Sequence, residues 1–366
     1  MVGVKKTGRY RVLNSRRIAV WASFFLPSQK AGLLPDLGHS RAVSGRGTAG
    51  LVGQAGIAAA EGRRSVVGSM PEAGLPFRHV LIALLVASIW GANFAAVKIA
   101  LIELPPLLLC TLRFVLVAVP LVFFVPRPAV TTRQLLLYGL TMFALQFGFL
   151  FLGLKLGMSA GLASLVLQFQ VFVTLLLSAT VLKERIAPAQ IAGGMLAGAG
   201  FVVVAWHIGG EVSAAGLVCV LLAACSWGFA NFSSKRLGRV NPLSLVVWGG
   251  LVVPGPMAVA SLLVEGPELI TESLARMGAA TLWSVAYVVY VSTLVGYTLW
   301  SWLLARHAAS VVTPFALLVP ICGLVTSALL LGEPLPIWKL GAGALVIAGL
   351  ALTVFGPRLR RVTAGA

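Results

Sequence analysis

Side chains able to do chemistry are sparse in the apolar part of this 366-residue chain, and none is arranged for catalysis. Its three histidines, His79, His207 and His307, fall at the ends of apolar runs, with no serine or cysteine spaced as nucleophile to base. Cys110, Cys219, Cys225 and Cys322 stand singly inside apolar runs without metal-ligand spacing, so neither metal nor cofactor is expected. Gly45-Arg46-Gly47-Thr48-Ala49-Gly50 matches a dinucleotide-binding fingerprint but has no strand before it and no helix with an acidic partner after it. The remaining candidates are polar and aromatic groups in the middle of apolar runs: Trp90, Asn93, Gln146, Gln168, Tyr290, Thr293, Tyr297 and Ser301. The last four are spaced 3, 4 and 4 residues apart, which predicts one helical face. Such groups are costly in lipid and normally face a bundle interior or a cavity. Together they can wall a site for a small zwitterion; alternatively the amides are interhelical glue and the aromatics pack. Gln170, about 200° around the helix from Gln168, is the weaker candidate for a shared cavity.

Such residues need a membrane to hold them. The chain is 59% hydrophobic and 10% charged, with a mean hydropathy of +0.97, which rules out a water-soluble globule. Apolar runs of about 20 residues, each long enough to cross a ~30 Å hydrocarbon core, cover residues 80–101, 106–125, 134–154, 160–182, 188–206, 214–233, 243–264, 279–304, 311–332 and 336–356. One set of their ends carries Arg78, Arg127, Arg133, Lys183, Arg185, Lys235, Arg236, Arg239, Arg306, Arg358, Arg360 and Arg361. The opposite set carries mainly acids, Glu103, Glu211, Glu265, Glu268, Glu272 and Glu333. Lys and Arg in short loops stay cytoplasmic, so both termini are predicted on that side. The net charge of +18 follows from these loops and a basic tail, with no aromatic-interleaved stripe for nucleic acid. Residues 1–78 read as a disordered basic extension; a transit sequence and a true start at Met70 are the alternatives. Residues 358–366 form a basic cytoplasmic tail.

The two halves of the apolar region repeat one another. Leu84-Leu85-Val86-Ala87-Ser88-Ile89-Trp90-Gly91 with Lys98 returns, 137 residues later, as Leu221-Leu222-Ala223-Ala224-Cys225-Ser226-Trp227-Gly228 with Lys235. Pro106 aligns with Pro242 and Pro120 with Pro256; at an offset of 149, Ser164 aligns with Thr313, Glu184 with Glu333, Gly194 with Gly343 and Gly200 with Gly349. Five helices per copy is an odd number, so the second copy enters the membrane inverted. The fold class is therefore all-α integral membrane, ten transmembrane helices as two inverted five-helix repeats, residues 79–209 and 210–357. Inverted repeats suit a secondary transporter that alternates access to a midplane site, and some channels share them. Trp90 and Trp227 hold equivalent positions, which points to gating or packing for Trp227, as for Pro320. Gly194-x-x-x-Gly198 and Gly341-x-Gly343 are the expected points of close helix approach.

The segment from Ala87 to Phe94 with Lys98, then Leu104-Pro105-Pro106 and Leu112-Arg113-Phe114, resembles the EamA-type family of the drug/metabolite transporter superfamily. Gly157 to Gln168 and Leu317-Leu318-Val319-Pro320 resemble, more narrowly, bacterial O-acetylserine/cysteine exporters. The resemblance implies a multi-pass inner-membrane exporter, not an enzyme, with a small amino-acid-like substrate. Another metabolite or drug, or a channel, stands as the alternative. With no nucleotide-binding cassette in the sequence, active transport is expected to draw on an ion or proton gradient. Arg113 sits seven residues past Pro106, about 10 Å along its helix, while its repeat equivalent is Gly249. A guanidinium there must be paired, either as a strut to Glu103 or helix-end carbonyls, or as a partner for a substrate carboxylate.

Overall fold

The computed structural model describes residues 75–209, 212–238 and 240–363, and all regular elements among them are helical. The readings for residues 1–74, including Met70 and the glycine fingerprint, fall outside the described residues. Nine of these helices are long and apolar enough to cross a bilayer: α1 (Phe77–Glu103), α3 (Thr132–Lys155), α4 (Ala160–Val181), α5 (Pro188–Trp206), α6 (Ala214–Lys235), α7 (Pro242–Val264), α9 (Ala279–Arg306), α10 (Thr313–Leu331) and α11, which continues to Thr363 (Ile337–Thr363). The apolar α2 (Pro106–Leu121) has 16 residues and stops short of Val125, its last turn interrupted by Pro120. A short α8 (Pro267–Ala275) precedes α9.

The helix starts are written locally. Proline occupies the first turn of α2, α5, α7 and α8, where its missing N–H costs nothing. Thr131, Ser159, Ser213 and Asn241 accept hydrogen bonds from first-turn N–H groups of α3, α4, α6 and α7. Three glutamates cap the starts of other helices, where a carboxylate also meets the positive end of the helix dipole. Glu265 accepts from Leu107 N and Leu108 N at 2.7 and 3.0 Å, Glu333 from Ala160 N and Gly161 N at 2.7 and 3.2 Å, and Glu103 from Gly278 N at 2.8 Å. At helix C-termini the signs reverse: Lys98 donates to Leu154 O and Met158 O, and Lys155 to Leu101 O.

Packing interlocks the two halves. A Cβ added to Gly91 of α1 would run into Cys322 and Gly323 of α10, and one added to Gly228 of α6 would lie 2.6 Å from Val173 Cβ of α4. Gly91 and Gly228 are 137 residues apart and Val173 and Cys322 are 149 apart, the offsets of the sequence repeat. The most extensive pairing is α5 with α11. Its close approach is made by Gly193, Ala197 and Gly200 against Ala342, Val346 and Gly349, a 4-3 spacing on both helices. This corrects the glycines expected from sequence: Gly198 and Gly341 face open space, Gly194 meets only Phe172 at 3.7 Å, and Gly343 meets Leu324 at 3.4 Å. The expected residues are one or two positions away on the same helices, so they fall on the wrong face, about 100° per residue around.

Candidate functional site

Two helices contain π segments, Leu140–Leu145 in α3 and Tyr287–Val295 in α9. Their widened turns re-phase the side chains that follow, and such turns recur at functional sites. In α9 the widening is visible in Thr293, whose hydroxyl donates to Val288 O, five residues back, at 2.8 Å. As a result Tyr290, expected on the same face as Thr293 and Tyr297, is 50% exposed, and Tyr287 turns inward to donate to Ile89 O at 2.9 Å. Straight-helix spacing had given Tyr290 that place; the π turn moves it out.

Thr293 and Tyr297 meet Arg113 around a cavity of about 10 Å³, room for a single water molecule. Its walls come from four helices: Arg113 and Val117 of α2, Phe143 and Phe147 of α3, Val246 and Gly250 of α7, and the two α9 residues. Arg113 is 3% exposed. One terminal nitrogen, Nη2, donates to Thr293 Oγ1 at 3.0 Å, and the guanidinium lies 4.2 Å from the centre of the Phe147 ring. Its Nε and Nη1 have no partner. The strut to Glu103 does not exist, because that carboxylate is bonded to Gly278 N, and the bonded nitrogen goes to a hydroxyl rather than to a helix-end carbonyl. Gly249, the repeat equivalent of Arg113, instead lies against Tyr138 and Phe143. A buried guanidinium over an aromatic face, with unpartnered donors at the wall of a cavity, is suited to receive an anion.

Trp90 stands beside this cavity. Its Nε1 donates to Ser292 O of the π segment at 3.1 Å, and its ring lies 5.4 Å from Tyr297 and 5.2 Å from Trp300. Gly296 makes room for it, since a Cβ there would sit 2.7 Å from Trp90 Nε1. Asn93, one turn further along α1, is 6% exposed with its Oδ1 unpartnered. Gln146 is buried next to Phe147 in α3, and Gln168 is buried in the 3₁₀ turn of α4; neither lines the cavity. Gln170 is interhelical glue, its Oε1 accepting from Asn231 Nδ2 at 2.7 Å. Ser301 is half-buried outside the cavity, Trp227 packs at the margin of the core, and buried Pro320 turns its carbonyl toward Ser164 at 3.5 Å. Phe143 and Phe147 were not singled out in the sequence. Their signal, a Phe143, Phe147, Phe151 stripe at four-residue spacing, looks like ordinary core.

Helices of this length and apolarity around a buried charge define a multi-pass membrane protein. Residues 77–206 and 214–355 each match the EamA-like transporter family, and the chain belongs to that family. It is 45% identical over 286 residues to a "Probable amino-acid metabolite efflux pump" of Salmonella typhimurium, covering 76% of this chain and 96% of that one. A protein of Escherichia coli with the same description is 42% identical over 287 residues, covering 77% and 96%. A solved crystal structure that is 22% identical shares the fold with a TM-score of 0.54 over 75% of this chain and 98% of the other.

Proposed function

We propose that this protein is a secondary transporter that exports small amino-acid metabolites, O-acetylserine and cysteine among them, across the bacterial inner membrane. In this reading α2 spans with the other nine, giving ten spans with both termini cytoplasmic and residues 79–209 and 210–357 as inverted halves. The cavity is walled by the second and third helices of each half, α2 and α3 with α7 and α9. Access alternates as the halves exchange roles. The single observation that carries the reading is Arg113: a buried guanidinium that lines that cavity with its Nε and Nη1 unpartnered, which supports a role in holding a substrate carboxylate. The efflux-pump descriptions of the Salmonella and Escherichia relatives agree with it.

The test is counterflow of labelled O-acetylserine and cysteine into liposomes reconstituted with the purified protein. Saturable, temperature-dependent counterflow is expected, retained in part by Arg113→Lys and lost by Arg113→Ala at equal protein level. Flux that does not saturate would make the protein a channel. Undiminished counterflow by Arg113→Ala would remove the guanidinium from substrate binding.

A further inference from the structure

We propose that the site recognises an α-amino acid as its zwitterion, with Arg113 taking the carboxylate and Asn93 Oδ1 taking the ammonium group; this rests on the transport reading above. Among the described residues three buried side-chain polar atoms lack a hydrogen bond: Arg113 Nε, Arg113 Nη1 and Asn93 Oδ1. Buried polar groups are rarely left so, because each gives up the hydrogen bonds it makes in water. The three are complementary in kind: an unpartnered guanidinium donor matches a carboxylate oxygen, and one acceptor matches an N–H of an ammonium.

Position agrees with kind. α1 and α2 are joined by the two-residue turn Leu104–Pro105. Asn93 lies ten residues before that turn and Arg113 seven residues beyond Pro106, about 15 and 10 Å along their helices. The two therefore differ by only about 5 Å in depth. Both helices also rest on the same π turn of α9. Arg113 bonds Thr293, while Trp90, three residues before Asn93 on the same face of α1, bonds Ser292.

No carboxylate among the described residues competes for the ammonium. Glu103, Glu265 and Glu333 cap helix starts, Glu184 and Glu272 pair with Lys235 and Arg276, and Glu268 stands in the first turn of α8. The amide oxygen of Asn93 is left as the acceptor. A ligand without an amino group would leave that oxygen buried and unpaired, which is the condition under which a site discriminates strongly.

The experiment measures saturation in the same liposomes for two pairs of probes: O-acetylserine with 3-acetoxypropionate, and cysteine with 3-mercaptopropionate, each pair differing only in the amino group. The wild-type protein is expected to favour the amino acid in each pair by at least about ten-fold. Asn93→Leu should raise half-saturation for the amino acids by a similar factor and leave the desamino acids unchanged, whereas Asn93→Asp, which keeps an acceptor, should retain the preference. If the wild type takes both members of a pair equally, or Asn93→Leu weakens both equally, the ammonium role is overturned while amino-acid transport stands. If no probe is carried saturably, the transport reading falls and this assignment with it. The wild-type comparison needs no variant, so misfolding of Asn93→Leu cannot hide the answer.

Discussion

Two glycines on α5, Gly193 and Gly198, should respond to the same substitution with opposite sign. At Gly193 the methyl of an alanine would lie 2.5 Å from Gly349 O and 2.9 Å from Thr353 N, both backbone atoms of α11 that no rotamer change can move away. A carbon needs about 3.3–3.6 Å from a carbonyl oxygen, so α5 and α11 must separate by about 1 Å. A gap of that size forfeits a quarter to a half of the dispersion energy of the facing contacts. Together with the usual cost of overpacking, this destabilises by about 1–3 kcal/mol. At Gly198 a methyl meets nothing within 4 Å, and replacing glycine in a helix interior stabilises by about 0.5–1 kcal/mol. The two variants should therefore differ by about 1.5–4 kcal/mol. Unfolding in mixed micelles of increasing denaturing detergent, followed by tryptophan fluorescence, reads the difference. Gly193→Ala should unfold at lower detergent fraction than wild type and Gly198→Ala at the same or higher. Equal destabilisation by both, or a neutral Gly193→Ala, would show that the reciprocal Gly193 and Gly349 contact does not set the packing of these helices.

Three further outcomes are expected. Reporter fusions after Gly209, Glu268 and Glu333 should report the periplasm and those after Arg127, Arg185, Arg239 and Arg306 the cytoplasm; one inverted loop would break the five-plus-five arrangement. Glu333→Gln removes the charge that meets Ala160 N and Gly161 N, so it should destabilise by about 1 kcal/mol in the same unfolding assay; an unchanged midpoint would show that the cap contributes nothing. Gly296→Ala pushes a methyl into the space of Trp90 Nε1 and should lower counterflow with little change in protein level, with Trp90→Phe, which lacks the bond to Ser292, falling less; wild-type counterflow by Gly296→Ala would dismiss Trp90 as a support of the π segment.

The membrane character of the chain was legible without coordinates, because lipid allows so few solutions. Runs such as 188–206 and 214–233 have to be helices when no water is present to satisfy the backbone, and α5 and α6 begin and end within about two residues of those runs. Pro106, Ser159 and Asn241 start their helices through local chemistry that needs no distant partner. Arg113 also stood out from sequence alone, since a charge inside an apolar run demands a reason wherever it lies.

What the residue order could not convey was phase and partnership. Tyr290 and Thr293 share a face on an ideal helix, and only the π turn of α9, stabilised by Thr293 on Val288 O and by Trp90 on Ser292 O, separates them. Gly193 and Gly194 are equivalent in sequence, and the arrival of α11 on one side makes the first indispensable and leaves the second with a loose contact to Phe172. Glu103 and Arg113 lie close in sequence with opposite charges, yet Gly278 N at the start of α9 takes the carboxylate and leaves the guanidinium over Phe147 with two free donors. Helix formation is decided within one segment by its own backbone and solvent. The direction of each side chain, and the partner it finds there, depends on helices more than a hundred residues away, so only the tertiary structure decides them.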